Sequence, residues 1–259
     1  MDQILVVTGG SRGIGAETAR LAASRGYAVA INYVKRQDAA HALVDEIEGS
    51  GGRAIAVQGD VALPADVERI FDTVDRELGR LTAFVNSAGH GGGYVPARDF
   101  DADVLKNLME ITVIGAMLSA REAVRRMALS EGGNGGAIVN VSSMASTIGG
   151  RPLRTDYATS KAAVDCFTVG LAKEIGHDGI RVNAVRPAVT ITDMVDKLRK
   201  DPKAAAAVAN TIPINRLAEP IEVARPIVWL LSDEASYVNG SLFDVSGGGF
   251  LVAEANNPG

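Results

Sequence analysis

At 259 residues, with 47% apolar and 22% charged side chains, the chain is long enough for one large α/β domain or two small ones, and too apolar to be disordered. A formal net charge of -5 without any Lys/Arg cluster argues against nucleic acid and anionic membrane as partners. The single cysteine, Cys166, cannot close an internal disulfide, no segment approaches the roughly 20 apolar residues of a membrane helix, and the first apolar run follows directly on Met1, Asp2 and Gln3, so the expectation is a soluble cytoplasmic protein.

Short apolar runs alternate with amphipathic stretches. Ile4–Val7, Ala28–Ile31, Ala54–Val57, Ala83–Val85, Ala137–Val141, Arg181–Val185 and Leu242–Val245 read as strands. In Asp66–Leu78, Val67, Ile70, Phe71, Val74 and Leu78 share one helical face. Strand–helix–strand repetition with strands apolar throughout predicts an α/β fold: a single doubly wound, Rossmann-type domain over residues 1–259, whose parallel sheet of about seven strands is covered on both faces. No Pro/Ser-rich linker divides it. The glycine clusters Gly91–Gly93, Gly132–Gly136 and Gly149–Gly150 read as loops.

The first strand runs into Thr8-Gly9-Gly10-Ser11-Arg12-Gly13-Ile14-Gly15, and a helical pattern follows at once. Glycines let the backbone turn tightly and approach a pyrophosphate, and the helix N-terminus adds free N–H groups and a positive dipole end. A glycine turn by itself often serves only to turn; the strand before it and the helix after it point to a dinucleotide.

From here the chain resembles the short-chain dehydrogenase/reductase family, motif by motif and in order. Thr8-Gly9 to Gly15 matches its Thr-Gly-x-x-x-Gly-x-Gly turn. Asp60-Val61 follows the third strand, where relatives hold the adenine. Asn86-Ser87-Ala88-Gly89 follows the fourth and is similar to the family's Asn-Asn-Ala-Gly. Ser142-Ser143 follows the fifth, Tyr157-Ala158-Thr159-Ser160-Lys161 is the Tyr-x-x-x-Lys motif, Asn183 and Pro187 flank the end of the sixth strand, and Asp244-Val245-Ser246-Gly247-Gly248 closes the sheet. The resemblance implies an NAD(P)-dependent oxidoreductase. It implies cofactor contacts from Gly9, Ser11, Arg12, Ile14, Gly15, Asn32, Asp60, Val61, Asn86, Ala88, Gly89, Tyr157, Lys161, Pro187, Val189 and Thr192.

NAD-binding folds place an acid about 20 residues beyond the glycine motif, against the ribose 2′-hydroxyl. Here that stretch reads Ile31-Asn32-Tyr33-Val34-Lys35-Arg36. No acid stands in it to repel a 2′-phosphate, and Arg12, Lys35 or Arg36 can pair with one, which favours NADP(H) over NAD(H).

Tyr157 and Lys161 are one helical turn apart on one face. A free tyrosine titrates near pH ~10; a neighbouring ammonium and a positive nicotinamide favour the phenolate, so Lys161 is expected to bring Tyr157 within reach of neutral pH. Ser143 resembles the family serine that holds the substrate oxygen, with Ser142 the alternative. Its distance from Tyr157 is one residue longer than the usual spacing, which points to an extra loop residue in Ser146–Asp156. Two departures stand out. Thr112 occupies the place, three residues before Gly115, where relatives carry an asparagine that organises a proton relay to the lysine, and a threonine hydroxyl there is expected to bond back to the carbonyl one turn earlier. Asn107 cannot replace that asparagine, since five residues turn a helix about 500°. Ala188 replaces a family glycine and would be strained if its φ were positive.

His41, His90 and His177 lack metal-ligand spacing, His90 reads as a solvated loop residue, and Cys166 and Trp229 read as packed core. The expected activity is NADP(H)-dependent interconversion of a small-molecule carbonyl and alcohol by a homotetramer built through the Tyr157–Ile175 helix. The substrate pocket is expected to draw on Gly91–Arg98, Ala145–Thr155 and Thr190–Pro213. Alternatives on the same scaffold are a sugar 1-dehydrogenase, a 3-oxoacyl-carrier-protein reductase, or a catalytically weak NADP-binding sensor.

Overall fold

The computed structural model describes residues 3–249, except for the side chains at 197 and 199. Seven strands form one sheet: β1 Gln3–Thr8, β2 Tyr27–Tyr33, β3 Arg53–Gln58, β4 Ala83–Asn86, β5 Gly136–Val141, β6 Ile180–Pro187 and β7 Leu242–Val245. The helices are α1 Gly13–Ser24, α2 Gln37–Gly49, α3 Pro64–Glu77, α4 Ala102–Met109, α5 Gly115–Met127, α6 Ala145–Ile148, α7 Thr155–Ile175, α8 Asp196–Arg199, α9 Pro202–Ala209 and α10 Pro220–Leu231. Every strand pair is parallel and the order is β3-β2-β1-β4-β5-β6-β7. All seven expected strands are present.

The strands read as continuous apolar runs because both faces are buried: all seven residues of β2 are inside. Alternation within a strand sends neighbouring side chains to opposite layers. Leu5, Val7, Val29, Ile31, Val85 and Val139 pack with α1, α2 and α10. Ile4, Val6, Ala28, Ala30, Phe84 and Ile138 pack with α3, α5 and α7. The apolar face expected for α3 is the one buried, with Phe71 edge-on to Phe84 at 5.6 Å. Burying each such side chain contributes about 1.5–3 kcal/mol.

The inward face of α7 carries polar groups, among them Asp156, Ser160, Lys161, Asp165 and Thr168, while Ala162, Cys166 and Gly170 are exposed. Cys166 is therefore a surface residue, not core. Trp229 is only partly buried, at the edge of the core against Phe243. Among the described residues no helix is long and apolar enough to cross a membrane.

Candidate active site

The order of strands reverses between β1 and β4, and the carboxyl ends of these strands open the crevice where ligands bind in doubly wound folds. Gly9 turns the chain out of β1 at φ 61°, and a Cβ there would lie 2.9 Å from the backbone of Ala88. Gly15 lies so close that its Cβ would meet the Gly9 carbonyl oxygen at 2.5 Å. Only glycine lets the turn, α1 and the segment after β4 meet this tightly. Thr8 locks the arrangement: its Oγ1 donates to Asn86 Oδ1 and accepts from the N–H groups of Ser87 and Ala88. Arg12, at the N-cap of α1, makes no capping bond and no acid lies in the first turn, so the helix keeps its N–H donors and positive end for an anion. Ser11 and Ile14 are half-buried beside it, and Thr192 faces Gly13 across the cradle. These features fit a dinucleotide pyrophosphate.

Asn32 was expected against the cofactor. It is instead 1% exposed, accepting from Gly9 N–H through Oδ1 and donating to the carbonyls of Val57 and Gly59 through Nδ2. It braces the cradle against the end of β3 from inside. Beyond it Lys35 and Arg36 are exposed, and the long contacts Arg36–Asp38 and Arg12–Asp193, each 3.4 Å, are solvent-facing. Val61 is buried under Gly115, whose missing Cβ would lie 2.9 Å from Val61 Cγ2; this close approach holds the helix of Thr112 over the Asp60-Val61 corner.

Ser143, Tyr157 and Lys161 converge at the end of β5. Ser142 Oγ donates to the Lys161 carbonyl and so fastens α7 to the strand, which leaves Ser143 as the hydroxyl that meets Tyr157. Ser143 Oγ accepts from Ala145 N–H, which fixes its rotamer and keeps its proton free to donate. Lys161 is buried, donates to the Val141 carbonyl at 2.7 Å, and its Nζ lies 3.5 Å from where a Cβ on Gly89 would sit. Burial lowers its pKa to about 8, against the pull of Asp165 one turn on.

The expected route to an acidic phenol is corrected by the geometry. Burial pushes the Tyr157 pKa up; Ser143 and Arg154, rather than Lys161, pull it down. Lys161 Nζ sits 6.0 Å from the ring centre, whereas the Arg154 guanidinium lies over the same ring at 4.6 Å. Arg154 lies outside every motif, on a loop, and nothing in the spacing of the sequence marks it.

Against known proteins, a family model described as enoyl-(acyl carrier protein) reductase matches residues 9–249. The oxidoreductase YgfF of Escherichia coli K12 is 44% identical over 95% of this chain and 99% of its own. The chain belongs to the short-chain dehydrogenase/reductase family. A short-chain type dehydrogenase/reductase of Mycobacterium ulcerans superposes with a TM-score of 0.89 at 30% identity, covering 96% of this chain and 90% of that one. A blue fluorescent protein from a metagenomic library, solved with NADPH, gives 0.86 at 32% identity over 95% and 97%. The chain is an NAD(P)-dependent oxidoreductase of this family.

Its two departures from the family pattern have structural answers. Thr112 lies in a single π-helical turn, Glu110–Ile114, between α4 and α5. Its hydroxyl accepts from His90 N–H at 3.4 Å rather than bonding back along the helix, so the expected back-bond is corrected. His90 in turn accepts from Gly92 N–H through Nδ1. Ala188 is absent from the described residues with positive φ, so the alanine is unstrained, and its N–H pairs with the Val245 carbonyl. The Pro187 carbonyl oxygen accepts from Met144 N–H, and that of Val189 accepts from Ala218 N–H, so both shape the crevice rim through the backbone. Within the Ser146–Asp156 stretch the chain turns at Leu153, whose φ of 69° is unusual for a bulky side chain.

Proposed function

We propose that the chain reduces a small-molecule carbonyl to an alcohol with NADPH, reversibly, with Tyr157 as general acid–base. The observation that carries this reading is the convergence of Ser143, Tyr157 and Lys161 beside Gly89, at the mouth of a glycine cradle on the strand switch point. The nicotinamide supplies the hydride when bound. Ser143 donates to the carbonyl oxygen, Tyr157 gives that oxygen its phenolic proton, the Arg154 guanidinium over the ring stabilises the phenolate left behind, and Lys161, buried beside Gly89, offers its ammonium to the bound cofactor. The test is a panel of ketones with NADPH, followed by its absorbance. Oxidation of NADPH by none of them, in a protein that binds it, would favour the sensor reading instead.

NADP(H) is preferred in this reading because no carboxylate follows Asn32 until Asp38, and Asp38 is exposed beside Arg36. The Arg36–Asp38 and Arg12–Asp193 contacts are exposed and long, hence weak, and both guanidiniums can turn to a 2′-phosphate. NADPH is expected to bind at least several-fold tighter than NADH in a fluorescence titration; equal or reversed affinities would contradict the assignment.

Thr112 is proposed as the weak point of the proton path. Its hydroxyl holds the His90 loop, and threonine offers fewer hydrogen-bonding groups than asparagine. Thr112→Asn is expected to raise kcat several-fold with little change in NADPH affinity, read by stopped-flow in H₂O and D₂O. Identical rates and isotope effects would show that the threonine is no lesion.

A homotetramer is proposed from the outward face of α7. Ala162, Cys166 and Gly170 form an exposed row of small side chains, with Ile114 and Met117 each 46% exposed on the neighbouring helix. A second copy can pack closely there; light scattering at the monomer mass of 26.9 kDa would refute it.

A further inference from the structure

Arg154 breaks several local rules at once. It stands at the N-cap of the 21-residue helix α7, where Ser, Thr, Asp or Asn is preferred, and it makes no capping bond. A cation there opposes the positive end of the helix dipole. Leu153 precedes it in the left-handed region, which a bulky residue adopts only when its surroundings demand it.

The compensation is aromatic. The guanidinium carbon lies 4.6 Å from the ring centre of Tyr94 and 4.6 Å from that of Tyr157. Its Nη2 lies 3.9 Å from where a Cβ on Gly91 would sit, and Met194 flanks the same point. Among the described residues it enters no ion pair and no side-chain hydrogen bond. The one acid in the first turn of α7, Asp156, accepts instead from Gly93 N–H. A half-buried guanidinium is thus held against the catalytic ring, with its N–H donors uncommitted, where the Gly91 loop, the Thr192–Val195 segment and α7 meet.

Ring contacts use the face of a guanidinium and leave its edge. That edge is a fork of donors matched to a carboxylate or a phosphate. We propose that Arg154 makes the enzyme selective for a carbonyl or alcohol substrate that carries an anionic group, which the guanidinium holds beside the reacting carbon. The proposal rests on the reading of Tyr157 as the proton donor, and it names the substrate class of that site.

Three other roles predict different behaviour. A cation that only tunes the phenol would change turnover of charged and neutral substrates alike. A purely structural stack between Tyr94 and α7 would do the same through stability. A surface arginine with no role would change neither.

The test uses two matched pairs of ketones with saturating NADPH: 4-acetylbenzoate against 4-acetylbenzamide, and 4-oxopentanoate against 4-oxopentanamide. Wild type is expected to favour the acid of each pair by about 10- to 100-fold in kcat/KM, the range of a charge-assisted hydrogen bond. In Arg154→Met that ratio should fall to about one, whatever loss both substrates share, and Arg154→Lys should recover part of it. Added salt should lower the wild-type ratio and leave that of Arg154→Met unchanged. Equal use of acid and amide by wild type, or an unchanged ratio in Arg154→Met, would overturn the proposal while leaving the carbonyl-reductase reading intact. Failure to reduce any of the four ketones or any member of the wider panel would overturn both.

Discussion

Tyr157→Phe is expected to lower kcat for carbonyl reduction by about 10³-fold, within the range for removal of a general acid. The loss should leave NADPH affinity within about threefold of wild type. The phenylalanine ring fills the same space against Arg154, so the pocket keeps its shape; the proton that reaches the substrate oxygen is gone. Since burial holds the Tyr157 pKa up while Ser143 and Arg154 pull it down, the phenol is protonated at neutral pH and suited to donate in the reductive direction. Stopped-flow measurement of NADPH oxidation, with a parallel fluorescence titration of the cofactor, separates lost chemistry from lost binding. A rate within tenfold of wild type would mean that another group supplies the proton.

Lys161→Met is expected to have two separable effects. Turnover should fall by about 10²-fold, because no ammonium remains beside Gly89 to hold the bound cofactor in line with Ser143 and Tyr157. The second effect is on stability and depends on pH. Folding lowers the lysine pKa from 10.5 to about 8. Between those values the unfolded chain still holds a proton that the folded chain has released, so wild-type stability rises with pH there, at about 1.4 kcal/mol per pH unit, relative to a variant that cannot titrate. Below about pH 8 both states are protonated, and burial of the ammonium is a constant cost. Urea unfolding of both proteins at pH 8 and pH 9.5 should therefore show wild type gaining roughly 2 kcal/mol on Lys161→Met. A stability difference that stays flat over this interval would contradict the burial of Lys161 as an ammonium near its titration point.

Much of this architecture was legible in the sequence, for identifiable reasons. Strands buried on both faces are uniformly apolar, and glycines at Gly9 and Gly15 are required by contacts shorter than any side chain allows. Helical spacing alone sets Tyr157 and Lys161 on one face. What the sequence did not disclose depends on contacts between distant segments. Asn32 reads as a cofactor contact after a strand and is a buried brace, because the turn after β1 and the end of β3 converge on it. Ala188 looked suspect and is ordinary, since strain depends on a φ that residue identity does not reveal. Cys166 lies among apolar neighbours yet faces outward, because polar side chains occupy the inner face of α7. Arg154 was invisible because its role comes from Tyr94 and Tyr157 closing around it, and Tyr94 is 60 positions away in the chain.

Isotope transfer tests the central claim most directly. Wild type and Tyr157→Phe would each be incubated with a ketone accepted in the panel and with NADPH deuterated at nicotinamide C4, in both stereoisomers, and the product alcohol analysed by mass spectrometry. Wild type should yield an alcohol with one deuterium on the carbinol carbon from one of the two isomers, and Tyr157→Phe should yield almost none. Alcohol without deuterium from either isomer, or undiminished deuterated product from Tyr157→Phe, would contradict hydride transfer from NADPH coupled to proton donation by Tyr157.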